Sequence, residues 1–136
     1  MPMSLTRKEV IKKIEGFLKN RGEIVFAYLF GSFVEEEIFN DLDVGIYVDE
    51  NSNLARGIFY EIELSNELEE IIRIPVDIIV LNKASHLMVH RTSKGVLIKN
   101  DDDNVRADII TKHWRIYWDF QSKIQEHVLE MKHGGR

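Results

Sequence analysis

Cysteine is missing from all 136 residues, so no disulfide framework can staple this chain. The amino-terminal stretch MPMSLTRKEV lacks an apolar run that could act as a signal or cross a membrane. An excess of basic charge is missing too. The formal net charge of −5 argues against a nucleic-acid surface, which would show a basic stripe, and against anionic membranes. These absences together lead to the expectation of a soluble, cytoplasmic protein whose substrate is not bulk DNA or RNA. With 44% apolar residues the chain can fill one core but not two. A single domain is expected over residues 1–131, with 132–136 as a disordered tail.

What is present centres on Ile24 to Asp49. Ile24 to Phe30 is an apolar, β-branched and aromatic run that reads as a buried strand and stops at Gly31-Ser32. Asp41-Leu42-Asp43 then leads into a second strand-like run, Val44 to Val48. Strand alternation places Asp41, Asp43, Gly45 and Tyr47 on one face and Leu42, Val44, Ile46 and Val48 on the other. The apolar face packs. The acidic face holds two carboxylates that repel each other and resist burial, so it needs a cation, a proton or open water, and a divalent metal answers that need.

A third acid, Asp77, lies just inside the most apolar run of the chain, Ile74 to Leu81, whose edge Pro75 marks. If that strand lies beside the one carrying Asp41 and Asp43, the carboxylates converge at one sheet edge. Hard oxygen ligands in that number suit Mg²⁺, which binds through a few carboxylates plus substrate phosphates and keeps several waters. Phosphoryl chemistry follows. Gly31-Ser32, between a strand and a short helix, can then seat a phosphate on backbone N–H groups.

An apolar strand, Gly31-Ser32, Asp41-x-Asp43 and a later strand carrying Asp77 together resemble the nucleotidyltransferases of the DNA polymerase β superfamily. Within that superfamily the chain is similar to the minimal nucleotidyltransferases (MNT), the antitoxin partners of HEPN toxins. Val76 to Asn82, Gly95 to Ile98 followed by Asp101 to Asp103, and Tyr117-Trp118-Asp119-Phe120 extend the likeness over nearly the whole chain. The resemblance implies an α/β fold, a mixed sheet with helices mainly on one face. It implies Mg²⁺-dependent transfer of AMP from ATP (AMPylation) to a hydroxyl, a tyrosine of a HEPN toxin. Asp41, Asp43 and Asp77 would be the catalytic and metal-binding residues, and Gly31 and Ser32 would hold the nucleotide phosphates. The chain departs from the family in a somewhat short Ser32 to Asp41 spacing and in Glu35-Glu36-Glu37, which would repel a triphosphate. Those departures motivate an alternative, an antitoxin that neutralises its toxin by occlusion without turnover. Nucleotide transfer to a small hydroxylated molecule such as an aminoglycoside is a further alternative.

The remaining elements read as scaffold. Thr6-Arg7-Lys8-Glu9 is a capping box opening a helix whose Val10, Ile11, Ile14, Phe17 and Leu18 share a face. Leu54 to Ile72 reads as a crossover helix with an apolar stripe of Leu54, Ile58, Ile62, Leu68 and Ile72 and a solvated glutamate face. His86 and His90 stand at i, i+4 in a short helix, a spacing that could ligate a metal but lacks a third soft ligand. Asp101 to Asp103 reads as a turn and helix cap. The last helix, Val105 to Met131, carries apolar residues over about 220° of arc, wider than one core-facing stripe. It is expected either to wedge into the core or to offer Trp118 and its neighbours to a partner or a second copy.

Overall fold

A computed structural model describes residues 6–35, 37 and 39–134. Helix α1 (Arg7–Lys19) starts at the expected capping box. The Thr6 hydroxyl accepts the Glu9 N–H at 3.2 Å, and the Glu9 carboxylate accepts the Thr6 N–H at 3.2 Å. Strand β1 (Ile24–Phe30) follows, then the single turn α2 (Ser32–Glu35) and strand β2 (Leu42–Val48). A 3-10 turn at Leu54–Arg56 precedes α3 (Tyr60–Ile72), β3 (Val76–Val80) and a second 3-10 turn at Leu81–Lys83. The chain closes with α4 (His86–Ser93), β4 (Val96–Asn100) and α5 (Asp103–Gly134).

The strands form one mixed sheet in the order β3-β2-β1-β4. β1 pairs antiparallel with β2 and β4, whereas β2 and β3 run parallel, joined by the α3 crossover. Strand alternation sorts the faces as the sequence implied. Leu42, Val44, Ile46 and Val48 of β2 pack with Val10, Ile14 and Leu18 of α1 and Leu64, Leu68 and Ile72 of α3 in the larger core. Phe26 and Tyr28 of β1 point the other way, where they meet Val89 of α4 and Ile109 and Ile110 of α5 in a smaller one. The larger core lies on the α1–α3 side, and α4 with the first half of α5 covers the opposite face.

Two expectations are corrected. The crossover is a 3-10 turn followed by a helix beginning at Tyr60, so the stripe of Leu54, Ile58 and Ile62 does not pack; these residues are 68%, 86% and 58% exposed. Tyr60, Leu64, Leu68 and Ile72 form the buried face, and Tyr60 donates its hydroxyl to the buried Glu23 carboxylate at 2.8 Å. The break has a local cause: Gly57, extended at φ −63° and ψ 141°, interrupts the helical path. The last helix starts at Asp103 and continues to Gly134, so residues 132–134 belong to it; residues 135 and 136 of the expected tail lie outside the described residues. Its wide apolar arc divides along its length. Ile109, Ile110, Trp114 and Tyr117 are half-buried, whereas Trp118, Phe120, Ile124, Val128 and Leu129 are exposed.

The two histidines of α4 meet different residues of α5. His86 pairs with His113 of α5 through their Nδ1 atoms at 2.7 Å, and His90 stacks on Tyr117 with ring centres 3.8 Å apart. Trp114 completes the α4–α5 contact by donating Nε1–H to the Ser93 hydroxyl at 2.7 Å. The capping role of the Asp101 to Asp103 turn is observed: Asp102 accepts the Val105 N–H at 3.1 Å, and Asp103 pairs with Arg106. Beside it the buried Lys99 ammonium donates to the carbonyls of Ile24 and Arg21 and to Asp101, at 2.5, 3.1 and 2.5 Å, tying β4 to the start of β1. Among the described residues no helix is long and apolar enough to cross a membrane.

Candidate active site

The site forms where β1 ends beside β2. Phe30 and Asp43 are ladder partners, so the next residue, Gly31, leaves the sheet alongside the Asp43 carboxylate. Gly31 has φ +81°, and a Cβ there would lie 2.2 Å from Asp43 Oδ2. Only glycine satisfies both the left-handed backbone and the close approach. The Gly31 carbonyl accepts the N–H groups of Val34 and Glu35, each at 3.0 Å, which closes α2 directly on the strand end and leaves Ser32 half-buried beside it. Arg7 of α1 holds this segment from behind: its Nε–H donates to the Phe33 carbonyl at 2.9 Å, and its guanidinium lies 4.9 Å from the Phe39 ring centre.

Asp43 and Asp77 are in register across the parallel β2–β3 pair. Neighbouring strands lie about 4.8 Å apart and in-register side chains share a face, so the two carboxyl groups stand side by side on the α4 side of the sheet. Asp41 sits at the exposed entrance to β2, two residues earlier. The sequence had no pairing information, yet the acids it singled out meet on adjacent strands. Asp43 is half-buried and carries the electrostatic consequence. Burial first, then the charges of Asp77 and Asp41, push its carboxyl above the usual value, while the Arg91 guanidinium opposes them.

Arg91 is the residue that reading the sequence missed. It lies in the last turn of α4 with its guanidinium 5.9 Å from the Phe30 ring, near the acids although 48 positions after Asp43 in the chain. Its neighbourhood in the sequence, His86 to Thr92, drew attention only through its histidines. Thr92 shows how α4 reaches the site, since a Cβ on Gly45 of β2 would meet its Cγ2 at 2.4 Å.

Among the described residues no group of three or more histidine, aspartate or glutamate side chains stands ready to enclose a metal ion. The donor set nevertheless fits a hard divalent cation. Two carboxylates fixed side by side, one with its pKa pushed up by burial and by its neighbours, lower their repulsion by sharing a cation, and Mg²⁺ draws its other ligands from water and phosphates. Glu35 and Glu37 are exposed; Glu36 lies outside the described residues. Beside Asp77, along β3, a groove of about 1080 Å³ runs between the Asp49 to Glu61 segment and the Asn82 to Met88 segment.

Comparison with known proteins gives this geometry a context. Residues 12–104 match the family described as polymerase beta, nucleotidyltransferase. The "Putative protein adenylyltransferase" of Methanocaldococcus jannaschii is 29% identical over 91 residues, spanning 67% of this chain and 91% of that protein. A chain from the complex of tri-AMPylated Shewanella oneidensis HEPN toxin with MNT antitoxin shares the fold at a TM-score of 0.69 and 17% identity. The likeness covers 93% of this chain and 99% of that one. A toxin–antitoxin structure with AMP-PNP gives the same score and identity over 90% of this chain and 98% of that one. The MntA–HepT toxin–antitoxin structure aligns at a TM-score of 0.64 and 20% identity, over 92% and 98%. The match spans the glycine turn, both strands carrying the acids and the crossover between them, and by it the chain belongs to the polymerase β nucleotidyltransferase family.

Proposed function

We propose that this protein transfers AMP from ATP to a tyrosine hydroxyl of a HEPN-family partner and silences it, acting as an antitoxin. The observation that carries the reading is the side-by-side placement of Asp43 and Asp77 next to the Gly31 turn. Two like charges held together by a backbone ladder are costly unless a substrate complex uses them. Family membership supports nucleotidyl transfer. The tri-AMPylated toxin and the AMP-PNP complex among the structural neighbours support a protein acceptor and an adenine nucleotide.

In this reading Asp41, Asp43 and Asp77 would hold Mg²⁺, which when bound polarises the α-phosphate and neutralises the departing pyrophosphate. Gly31 and Ser32 seat the phosphates through backbone N–H groups at the strand end. Arg91 adds a cation to a site that is otherwise acidic. The acceptor oxygen bonds to the α-phosphorus while the bond from that phosphorus to the bridging oxygen breaks, and pyrophosphate leaves. Asp77, exposed at the mouth of the groove, takes the hydroxyl proton.

The test is label transfer. The protein is incubated with Mg²⁺, source-cell lysate and ATP labelled at the α-phosphate, and in parallel at the γ-phosphate, with Asp41→Asn/Asp43→Asn as control. Label on one protein band from the α position only, absent in the control, is the expected result. A second reading, neutralisation by occlusion, is favoured by the exposed apolar half of α5. It predicts that the same partner is captured equally by wild type and control, with no label on it.

A further inference from the structure

Among the described residues β3 is an outer strand of the sheet with no strand on its far edge, and that edge faces the groove. The ladder fixes which of its peptide groups point there. In a parallel pair a residue turns both its N–H and C=O to the same side, and successive residues alternate. The Leu42 N–H donates to the Pro75 carbonyl at 2.9 Å, so Pro75, Asp77 and Ile79 turn their peptide groups toward β2. Val76, Ile78 and Val80 turn theirs outward. The outward Val76 N–H is capped by Glu69 Oε2 at 2.8 Å, and beyond it Ile78 and Val80 present theirs to the groove.

The walls of the groove also suit a polypeptide. Ile58 lines the groove and is 86% exposed, and with Leu54, Phe59 and Ile62, exposed beside it in the chain, it makes an apolar lip. The ionisable side chains lining the groove are Asp49, Glu50, Glu61 and Asp77 against Arg56 and Lys83. Arg56 is engaged with the Glu50 carbonyl at 3.2 Å. The groove is therefore acidic, and it runs without interruption into Asp77.

We propose that this groove receives an extended, basic segment of the acceptor protein, which pairs with the outer edge of β3 as a fifth strand and so brings its hydroxyl side chain to Asp77. This rests on the transferase reading and specifies how the acceptor is recognised. A residue opposite Asp77 on the added strand projects to the same face about 5 Å away, the face that carries Asp43. Backbone pairing supplies affinity with little regard to sequence. Selection comes from the basic flanks against the four acids and from apolar side chains on the lip.

The experiment uses nine-residue peptides with a central tyrosine flanked by lysine and arginine, compared with N-acetyl-tyrosine amide and with the same peptides N-methylated at alternate backbone amides. AMP transfer from α-labelled ATP is followed for the wild type, for Ile78→Pro and for Gly57→Trp. Ile78→Pro removes one outward N–H and leaves the β2 ladder its donors. Gly57→Trp fills the groove from a position where the only atom near an added Cβ is Leu54 O at 3.9 Å, so it remains informative if the proline variant fails to fold. The expected result is at least tenfold higher kcat/KM for the peptides than for the amide, with that advantage lost on N-methylation and in both folded variants. Equal use of peptide and amide, or an advantage that survives N-methylation and Gly57→Trp, overturns the edge-pairing proposal and leaves the transferase reading standing. No label on any peptide also overturns it. The melting shift with Mg²⁺ and ATP, taken on the same samples, then shows whether nucleotide binding fails as well.

Discussion

Replacing Gly31 with alanine tests the site at its tightest point. Two costs follow from the structure. A φ of +81° is strained for any residue with a Cβ, by about 1–2 kcal/mol. The new Cβ would also start 2.2 Å from Asp43 Oδ2, so the carboxylate must swing away by about 1 Å to reach ordinary contact. A net loss of about 2 kcal/mol corresponds to a melting temperature lower by about 6 °C for a domain of this size. If Asp43 acts as proposed, the larger effect falls on chemistry, because a displacement of about 1 Å at a reacting centre costs on the order of 100-fold in rate. The matched control is Gly16→Ala in α1, where nothing lies within 4 Å of the added methyl and the exchange should stabilise the helix by about 0.5–1 kcal/mol. Thermal unfolding at pH 7 and the rate of AMP transfer are measured on both. If Gly31→Ala melts with the wild type and keeps its rate, the strand end does not lie against a functional carboxylate and the reasoning fails.

Other expectations can be checked with the same preparations. Because burial and the neighbouring acids raise the Asp43 carboxyl above its ordinary 3.8, ionising it costs the native state. Wild type should therefore lose stability relative to Asp43→Asn as pH rises from 3.8 through the folded-state value, and an equal difference in urea midpoint at pH 4 and pH 7 would contradict this. Mg²⁺ with ATP at 100 times its Kd should stabilise the wild type by about 2.7 kcal/mol, and an unmoved melting curve at millimolar concentrations of both would count against the site. Arg91→Ala removes a charge that holds the Asp43 carboxyl down, so the pH midpoint of metal binding should rise; a fall would show that Arg91 acts elsewhere. Lys99→Met strips the Ile24 and Arg21 carbonyls of a charged donor and should cost about 2–3 kcal/mol in urea unfolding, with a cost below about 0.5 kcal/mol refuting the tie between β4 and β1.

The legible parts of the fold were those governed by short-range rules. The Thr6 to Glu9 capping box, the β1 run and the alternation of β2 depend on residues a few positions apart, and the structure shows each of them. Asp43 and Asp77 were legible because a carboxylate inside an apolar strand is conspicuous in any context. Arg91 was not, since an arginine in a helical turn looks like ordinary surface until the sheet brings β1 and β2 beneath it. The crossover misled for a related reason. Leu54, Ile58 and Ile62 keep helical spacing, so periodicity reads them as a core stripe although that segment folds as a 3-10 turn and a helix start that leave them in solvent. The last helix defeated a single label because spacing cannot tell which half of a 32-residue rod lies on the domain.

The parallel register of β2 and β3 also bears on how faithfully the chain folds. A slip of one position along that pair would turn Asp77 inward among the aliphatic side chains of α1 and α3 and expel Val76 and Ile78 to the other face. Burying a carboxylate there costs several kcal/mol, a large share of the stability of a domain this small. Misaligned chains are thus penalised at the moment of pairing, and the same acid that the proposed reaction uses acts earlier as a proofreader of the sheet.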